Sequence, residues 1–356
     1  MYDGSLPFRH FFKNYCIKNK SLGSKDRKII KEIFYLAFRS GKYSTFDDQN
    51  LFMLANNLNS CNLLKDFFNG IPYNIEKSEF VFPFPELINE QFNNKKYFES
   101  YAVKPLIWVR INKNKKYDCI FKTGILPLEK VQINENTSSW GFENLNVSEN
   151  EKYFEIQDLS SQIAASKIKI HSGENVWDCC SGAGGKSLFI AENFKNFNLF
   201  VSDKRSSVLS NLKNRFKKNK LNTPFCSTIN IENNIEKLIF DNKQIGFDFF
   251  DVIIADVPCS GSGTWVREPE NLYFFDKHKI NFFAEKQYLI VKNSLKFLKP
   301  NGKFYYITCS IFDEENFNVI KKLENDKIIE IVNYDYIKGF ENRADNMFWA
   351  EISKKN

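Results

Sequence analysis

Two hydrophobic patterns divide the chain. Between Phe8 and Leu64 the apolar residues recur at helical spacing, most clearly from Ile29 to Phe38, with Ser24 or Asp26 available to cap. This pattern predicts a small helical module. From Glu174 onward, short apolar runs alternate with amphipathic stretches, which is the pattern of strands and helices that follow one another along the chain.

The second pattern predicts the fold class. The runs NVWDCC, NLFVSD, FDVIIAD and KFYYITCS have the length and composition of buried strands. The stretches SLFIAENF, VLSNLKNRFKK and residues 282–297, which lie between these runs, have helical periodicity. Such an alternation is typical of an α/β domain with a doubly wound, Rossmann-like parallel sheet.

The region between the two patterns is less regular. Pro and Gly residues at 70–85 interrupt it and indicate a connector. Residues 105–112 (PLIWVRIN) predict a strand, followed by a helical stretch and short extended pieces up to Phe154, which makes a small α+β segment. We therefore expect a helical module at 1–68, a connector at 69–100, an α+β segment at 101–165 and a catalytic domain at 166–356.

The distribution of basic residues bears on whether the chain binds a polyanion. The formal net charge of +7 is mild, but the first 42 residues are strongly basic. Between residues 9 and 42 only Asp26 and Glu32 oppose the cations of this leader, which are Arg9, Lys13, Lys18, Lys20, Lys25, Arg27, Lys28, Lys31, Arg39 and Lys42. This surface suits the phosphates of a nucleic acid, although a solvated helical face would have the same composition.

Composition also predicts the cellular location of the protein and the state of its cysteines. No apolar N-terminal segment and no run of 18 apolar residues occur, so neither secretion nor membrane spanning is expected and the cytoplasm is the predicted location. The eight cysteines have no regular spacing and no paired CxxC or His cluster, so we expect neither disulfides nor a bound metal. A monomer is the default expectation.

A glycine-rich turn after the first predicted strand suggests a cofactor loop. Residues 178–187 read DCCSGAGGKS, and small residues let backbone amides approach a ligand closely. Asp203 ends the next strand, where an acid can bind both ribose hydroxyls of an adenosine-containing cofactor. Dinucleotide sites and purely structural turns share such a loop, and Asp203 could instead cap a helix.

Two cysteines follow later strands. Cys259 lies in DVPCSGSGT after FDVIIA, and Cys309 lies in TCS at the end of KFYYI. Neighbouring parallel strands would bring both thiols and Asp256 into one crevice beside the cofactor. A thiolate that attacks carbon 6 of cytosine makes carbon 5 nucleophilic, and a nearby acid can hold the ring nitrogen. The spacing leaves the roles of the two thiols interchangeable, and a buried Cys is often only a core residue.

These motifs resemble those of the Sun family of RNA cytosine-5 methyltransferases. CCSGAGGKS is similar to the family's CAAPGGKT, ADVPCSGSGTWVREPE to DAPCSGxGxxRRxPD, and YYITCSIFDEEN to YxTCSxxxxEN. PLIWVRIN, EIQDLSSQIAA and RADNMFWAEISKK extend the resemblance over about residues 105–355. The stretch SLGSKDRKIIKEIFYLAFR resembles the helical leader of bacterial members, itself a reduced form of an RNA-binding domain.

The resemblance implies a role for each site residue. Cys309 would be the nucleophile, Cys259 the thiol that promotes product release, and Asp256 the acid that contacts both the methyl region and the base. The residues that would hold S-adenosylmethionine are Cys180, Ser181, Gly182, Ala183, Gly184, Gly185, Lys186, Asp203, Asn230 and Asp256.

The sequence departs from the family pattern at three places. Ala183 stands where many members have proline, and Val266 stands where they have the first of two arginines; Arg267 matches the second. The acid expected to contact the adenine after the third strand is not evident, and Asn230 is the residue predicted to bond the adenine amino region instead.

The resemblance favours ribosomal RNA as the partner and transfer RNA as the second candidate.

Four alternatives compete with this interpretation. A dehydrogenase would need GxGxxG, and an amino-group methyltransferase would need Asp/Asn-Pro-Pro-aromatic after the fourth strand, where this chain has DVPC. A DNA cytosine methyltransferase would not need the second thiol in TCS. A non-catalytic RNA-binding assembly factor would use only the basic leader and the folded platform.

Overall fold

A seven-stranded sheet forms the centre of the molecule, which we describe from a computed structural model covering residues 2–39, 84–101, 103–112, 127–143, 145 and 154–355. The strands are β5 (Asn175–Asp178), β6 (Asn198–Asp203), β7 (Phe225–Thr228), β10 (Phe250–Asp256), β11 (Leu298–Thr308), β12 (Ile329–Ile337) and β13 (Met347–Lys354). Their order in the sheet is β12-β13-β11-β10-β5-β6-β7. The five strands from β11 to β7 run parallel, whereas β13 pairs antiparallel with both β11 and β12.

Helices cover both faces of this sheet. They are α4 (Leu159–Ser166), α5 (Gly185–Asn193), α6 (Ser206–Lys218), α7 (Pro269–Tyr273), α8 (His278–Ser294) and α9 (Phe317–Asn325). Because side chains alternate along a strand, Ile253 of β10 faces one apolar core and its neighbour Ile254 faces the other. Burial on both faces explains why the strands read as continuous apolar runs. The predicted doubly wound α/β fold is confirmed.

A second, four-stranded antiparallel sheet has the order β2-β3-β1-β4. Its strands are β1 (Ile107–Asn112), β2 (Glu129–Asn134), β3 (Thr137–Phe142) and β4 (Glu155–Ile156). The strand predicted within residues 105–112 is thus observed, while the helical stretch expected after it lies outside the described residues. Buried Arg110 ties this sheet to α5, since its Nε lies 3.0 Å from Glu192 Oε2.

The N-terminal module contains α1 (Phe8–Lys18) and α2 (Ser24–Arg39). The rest of the predicted module, up to Leu64, and most of the connector before residue 84 lie outside the described residues. Aromatic packing joins the two helices to α7, with Phe38 against Tyr273 and Phe274. The amide of Phe8 donates a 3.0 Å hydrogen bond to Glu270 Oε1 and fixes the start of α1.

The sequence patterns did not predict a hairpin, an edge strand and a short helix. A hairpin of β8 (Leu238–Phe240) and β9 (Lys243–Ile245) turns at Asp241 and Asn242, both with positive φ, as a tight two-residue turn requires. The edge strand β12 is exposed over residues 332–335 and so has no clean apolar period. The part of the connector that the structure describes adds a short helix, α3 (Lys95–Ser100). None of the helices described is both long and apolar enough to span a bilayer.

Candidate functional site

The loop between β5 and α5, residues 178–186, is called the cofactor loop here. Main-chain hydrogen bonds hold it: the Ser181 amide donates to the Ser202 carbonyl at 2.9 Å, and the Gly184 amide donates to the Ser181 carbonyl at 2.9 Å. Gly182 and Gly184 have φ values of +52° and +80°, which only glycine adopts readily. A Cβ on Gly182 would meet nothing within 4 Å, so this turn borders open space.

Asp203 at the end of β6 joins the cofactor loop to the start of α6. The Gly182 amide donates to its Oδ2 at 3.0 Å, and the amide and Nε of Arg205 donate to its Oδ1 at 2.9 and 3.0 Å. Burial alone would raise the pKa of Asp203, but these hydrogen bonds and the charge of Arg205 hold it below its ordinary value. The carboxylate therefore stays ionised and able to accept further hydrogen bonds.

A cavity of about 210 Å³ lies beside these groups. Four of the residues predicted to hold the cofactor line it: Cys180, Asp203, Asn230 and Asp256. Its other walls are Cys179, Lys204, Arg205, Ile229, Ile231, Glu232, Pro258 and Ile290. A lining that combines apolar side chains with the carboxyl groups of Asp203, Glu232 and Asp256 suits an adenosine-containing molecule, because a base needs apolar contact and a ribose needs acceptors.

The remaining predicted residues of the cofactor loop do not line this cavity. Gly184 packs against Leu212 of α6, where a Cβ would lie 2.6 Å from Leu212 Cγ, and the Ala183 carbonyl accepts a hydrogen bond from Arg215. Gly185 begins α5, and Ser181 is buried. These small residues shape the turn by fitting it against α6.

Sequence reasoning missed Glu232 and Ile290 as lining residues. Glu232 lies two residues beyond Asn230 and forms ion pairs with Lys204 and Lys286, at 3.0 and 3.4 Å. It is an acid that follows the third strand of the sheet, β7, and a turn separates it from the end of that strand at Thr228. Ile290 comes from α8, which no local motif connects to the cofactor loop.

The thiol loops, residues 257–264 and 309–316, lie beside the cavity at the same sheet edge. Strands β10 and β11 pair in parallel, with Asp256 opposite Ile307, so both loops leave the sheet side by side. The sulfurs of Cys259 and Cys309 lie 3.2 Å apart. The hydrogen bond to Cys309, burial and the nearby Glu315 carboxyl together raise the pKa of the Cys259 thiol well above its ordinary value.

A buried lysine links the cofactor loop to the thiol loops. Nζ of Lys186 lies 2.6 Å from Oδ2 of Asp256, and the lysine side chain is only 6% exposed. Asp178, two residues before Cys180, is fully buried, and burial, together with the charge of Asp256, raises its pKa to about 7. One cation therefore lies among carboxyl groups at the junction of the two regions.

Arg267 pairs with an acid that lies just before β13. Its Nη2 lies 2.6 Å from Asp345 Oδ2, and the Asp345 amide donates to Asp158 at 3.1 Å. Val266, where the family has its first arginine, is buried in the core. The departure at this position thus replaces a charge by an apolar core contact, while the second arginine keeps a charged partner.

Three comparisons place the chain among known proteins. Residues 165–347, slightly more than half of the chain, match a family described as 16S rRNA methyltransferase RsmB/F. Ribosomal RNA small subunit methyltransferase B of Pasteurella multocida is 25% identical over 271 residues, which cover 70% of this chain and 59% of the relative. Ribosomal RNA small subunit methyltransferase F of Aliivibrio salmonicida is 28% identical over 176 residues, covering 48% of this chain and 35% of the relative.

Solved structures agree with the fold. The crystal structure of PH0851 superimposes with a TM-score of 0.70 at 17% identity, covering 96% of this chain and 93% of that chain. A methyltransferase homologue from Pyrococcus horikoshii gives a TM-score of 0.59 at 19% identity, covering 76% and 92%. The chain spans about half the length of the curated relatives it matches.

Proposed function

The chain belongs to the RsmB/F family of 16S rRNA methyltransferases, and from this membership we propose that it methylates carbon 5 of a cytosine in RNA with S-adenosylmethionine. Ribosomal RNA is the proposed substrate because the family and its curated relatives carry that name. The observation that carries the chemistry is the pair of free thiols, 3.2 Å apart, beside Asp256 and the cavity.

The residues at the cavity fit the cofactor. Asp203, whose pKa is lowered, offers acceptors to the ribose hydroxyls, and the apolar side chains of Ile229, Ile231 and Ile290 offer contact to an adenine. Asn230 can bond the adenine amino region. S-adenosylmethionine supplies an electrophilic methyl group when bound. The chain's own groups must then make the target carbon nucleophilic.

Cys309 is the proposed nucleophile. Its thiolate forms a bond to carbon 6 of the cytosine, and the electron pair of the 5,6 double bond shifts toward the ring nitrogen and carbonyl. Asp256, when it carries a proton, can donate it to that nitrogen as the adduct forms, and Lys186, 2.6 Å away, can return a proton to the carboxylate. Carbon 5 thereby gains enamine character, which an isolated cytosine lacks.

Cys259 is proposed to act in product release. After methyl transfer, carbon 5 must lose its proton so that the double bond can re-form and Cys309 can leave. The Cys259 thiol, whose pKa is raised, can pass its proton to the departing sulfur of Cys309, and the Cys259 thiolate so formed can accept the proton from carbon 5. Its sulfur, in contact with that of Cys309, is close to the bond that breaks.

The N-terminal module supports RNA as the partner. A groove of about 550 Å³ between α1 and α2 is lined by five cations and, among the residues described there, by no acidic side chain. The cations are Arg9, Lys13, Lys20, Arg27 and Lys31. Such a groove can neutralise several phosphates, with Phe12 and Ile17 as apolar contacts for a base.

The decisive test separates the two thiols. With RNA and S-adenosylmethionine, a Cys259→Ala variant should accumulate a covalent protein–RNA complex on a denaturing gel, because the adduct forms but leaves slowly. A Cys309→Ala variant should form none. The reverse result would exchange the two roles. No complex with either variant, and no methylation by the wild type, would favour an RNA-binding assembly factor.

The substrate itself needs a different measurement. Bisulfite sequencing of total RNA from cells with and without the gene should reveal one or more cytosines in ribosomal RNA that lose protection when the gene is absent. A lost site in transfer RNA instead would move the proposal to the second candidate substrate.

A further inference from the structure

The dipeptide Glu315-Asn316, at the end of the second thiol loop, contacts residues next to both cysteines. Both side chains are fully buried, and neither belongs to the groups assigned above to the cofactor or the base. Glu315 lies in a 3-10 turn at residues 313–315, and Asn316 directly precedes α9. The two loops they contact follow different strands and lie about 50 residues apart in sequence.

Glu315 holds the residue after Cys259. The Ser260 amide donates to Glu315 Oε1 at 2.8 Å, and the Ser260 hydroxyl donates to Oε2 at 2.7 Å. Both carboxyl oxygens are thus used on one residue of the Cys259 loop. The hydroxyl of Tyr306, in β11, donates to the Glu315 carbonyl, so the strand that leads to Cys309 fixes the backbone of Glu315.

Asn316 holds the residues on either side of Cys309. Its Nδ2 donates to the Ser310 carbonyl at 2.9 Å, and its Oδ1 accepts a hydrogen bond from the Thr308 hydroxyl. The Cys309 turn is therefore bound by one side chain before and after the cysteine. Adjacent residues of one turn thus carry the contacts to both thiol loops.

Direct contacts between the two loops complete the network. The Ile311 amide donates to the Ser262 hydroxyl at 3.0 Å, and the Ser262 and Ser310 hydroxyls lie 3.2 Å apart. Ser262 and Ser310 are both fully buried. A buried network whose members are all paired is rigid, because losing any one contact leaves a desolvated polar group.

We propose that Glu315 and Asn316 are positioning residues that set the separation of the Cys259 and Cys309 sulfurs. This inference rests on the proposed function for its purpose, since two thiols that act on one adduct must remain within reach of each other. Neither residue touches the reacting atoms. Burial raises the pKa of Glu315 to about 7, while its contacts from Ser310 and Ser260 favour the charged, accepting form.

The distance between the sulfurs can be measured without RNA or cofactor. Diamide oxidises two neighbouring thiols to a disulfide: an S–S bond forms, and the two protons and two electrons reduce the azo bond of diamide to a hydrazine. Because a disulfide tolerates only a narrow range of separations, the rate at which Cys259 pairs with Cys309, followed by peptide mass spectrometry, reports on their positions.

A Glu315→Ala variant should form this disulfide about tenfold more slowly than the wild type and should lose about tenfold in kcat, with KM for RNA nearly unchanged. Glu315→Gln should restore much of both, since its amide oxygen can accept the Ser260 amide and its NH₂ can donate to the hydroxyl. Glu330→Ala, which removes an exposed carboxyl on β12, is the control and should behave as the wild type.

Opposite results would overturn the proposal. A folded Glu315→Ala protein with the wild-type disulfide rate would do so. If that variant does not fold, Ser260→Ala removes the hydroxyl contacts to Glu315 and Ser262, keeps the Ser260 amide contact to Glu315 and should slow the disulfide by about threefold. An unchanged rate would refute the role. The two proposals can fail separately. If the variant forms the disulfide more slowly but the wild type makes no 5-methylcytosine, the proposed function is refuted and the positioning role stands.

Discussion

The cofactor loop and the thiol loops lie at the same edge of one sheet but are held by different forces. Backbone amides and carbonyls hold the cofactor loop, with Asp203 as its principal side-chain acceptor. Buried side chains hold the thiol loops, through Glu315, Asn316 and Ser262. A ligand cradle needs accessible backbone and so favours glycine, whereas two thiols need fixed side chains and so require a packed, polar network.

Each region also contains one buried carboxyl with a raised pKa. Asp178 lies at the start of the cofactor loop and Glu315 at the end of the second thiol loop, and burial raises the pKa of both to about 7. Glu315 has both oxygens hydrogen-bonded, while Oδ1 of Asp178 has no partner among the described residues. The network on the thiol side is therefore the more complete of the two.

The largest expected effect concerns glycines in the two regions. A Cβ on Gly263 would lie 2.0 Å from the Asn346 carbonyl oxygen, so Gly263→Ala must displace backbone and should cost more than about 3 kcal/mol in the free energy of unfolding. Gly182→Ala meets only the penalty of its positive φ, about 1 kcal/mol. Urea unfolding measures both.

Gly246→Ala serves as the control, because its Cβ would meet nothing within 4 Å and its φ is not positive. It should change the unfolding free energy by less than about 0.5 kcal/mol. Equal losses at Gly263 and Gly182 would show that the thiol loops are no more tightly packed than the cofactor loop.

The second prediction uses the raised pKa of Asp178. The folded protein keeps this proton up to about pH 7, whereas the unfolded chain releases it near the ordinary value of 3.8. The contribution of Asp178 to stability is therefore complete below about pH 4 and is lost as the pH rises to 7. Asp178→Asn cannot titrate at this position and so does not lose this contribution. Its free energy of unfolding, relative to that of the wild type, should therefore increase by on the order of 2 kcal/mol between pH 5 and pH 8.

Urea unfolding at the two pH values tests this prediction. Exposed Asp335, replaced by Asn, is the control and should follow the pH dependence of the wild type. If Asp178→Asn also follows the wild type, then the Asp178 carboxyl does not keep its proton in the folded protein.

The smallest effect is expected at Asp203. Removing its carboxylate takes away acceptors for the ribose, so Asp203→Ala should weaken S-adenosylmethionine binding by about tenfold in calorimetry. Alkylation of Cys309 should continue at the wild-type rate, because the thiol loops do not depend on this carboxylate. Exposed Glu236→Ala is the control. Unchanged affinity for S-adenosylmethionine would show that Asp203 only holds the cofactor loop in place, through its hydrogen bond from the Gly182 amide.

Sequence reasoning was strong where the required chemistry is local. The glycines of the cofactor loop, Asp203 and the two cysteines each follow an apolar strand directly, so their positions at the carboxyl edge could be predicted from the strand pattern. The predicted neighbourhood of Cys259 and Cys309 follows from the parallel pairing of β10 with β11, which is observed. The helical start of the chain at α1 and α2 was equally visible in its period.

Long-range side-chain partners could not be predicted in this way. The pairing of Lys186 with Asp256, 70 residues further along, could not be predicted, and its expected role in binding the cofactor stays a prediction. Glu315 was part of a family motif without a role, and its partner Ser260 lies 55 residues away. Glu232 and Ile290 have no local signal that marks them as walls of the cavity.

The sequence by itself determined the order of strands and helices, the loop that can cradle a cofactor and the identity of the two thiols, because each depends on a short stretch of chain. Only the tertiary structure decided which carboxyl meets which cation, how far apart the sulfurs lie and which buried side chains hold them there. Those choices depend on packing between distant segments, and packing distances follow from the summed shapes of many neighbours and not from any single motif.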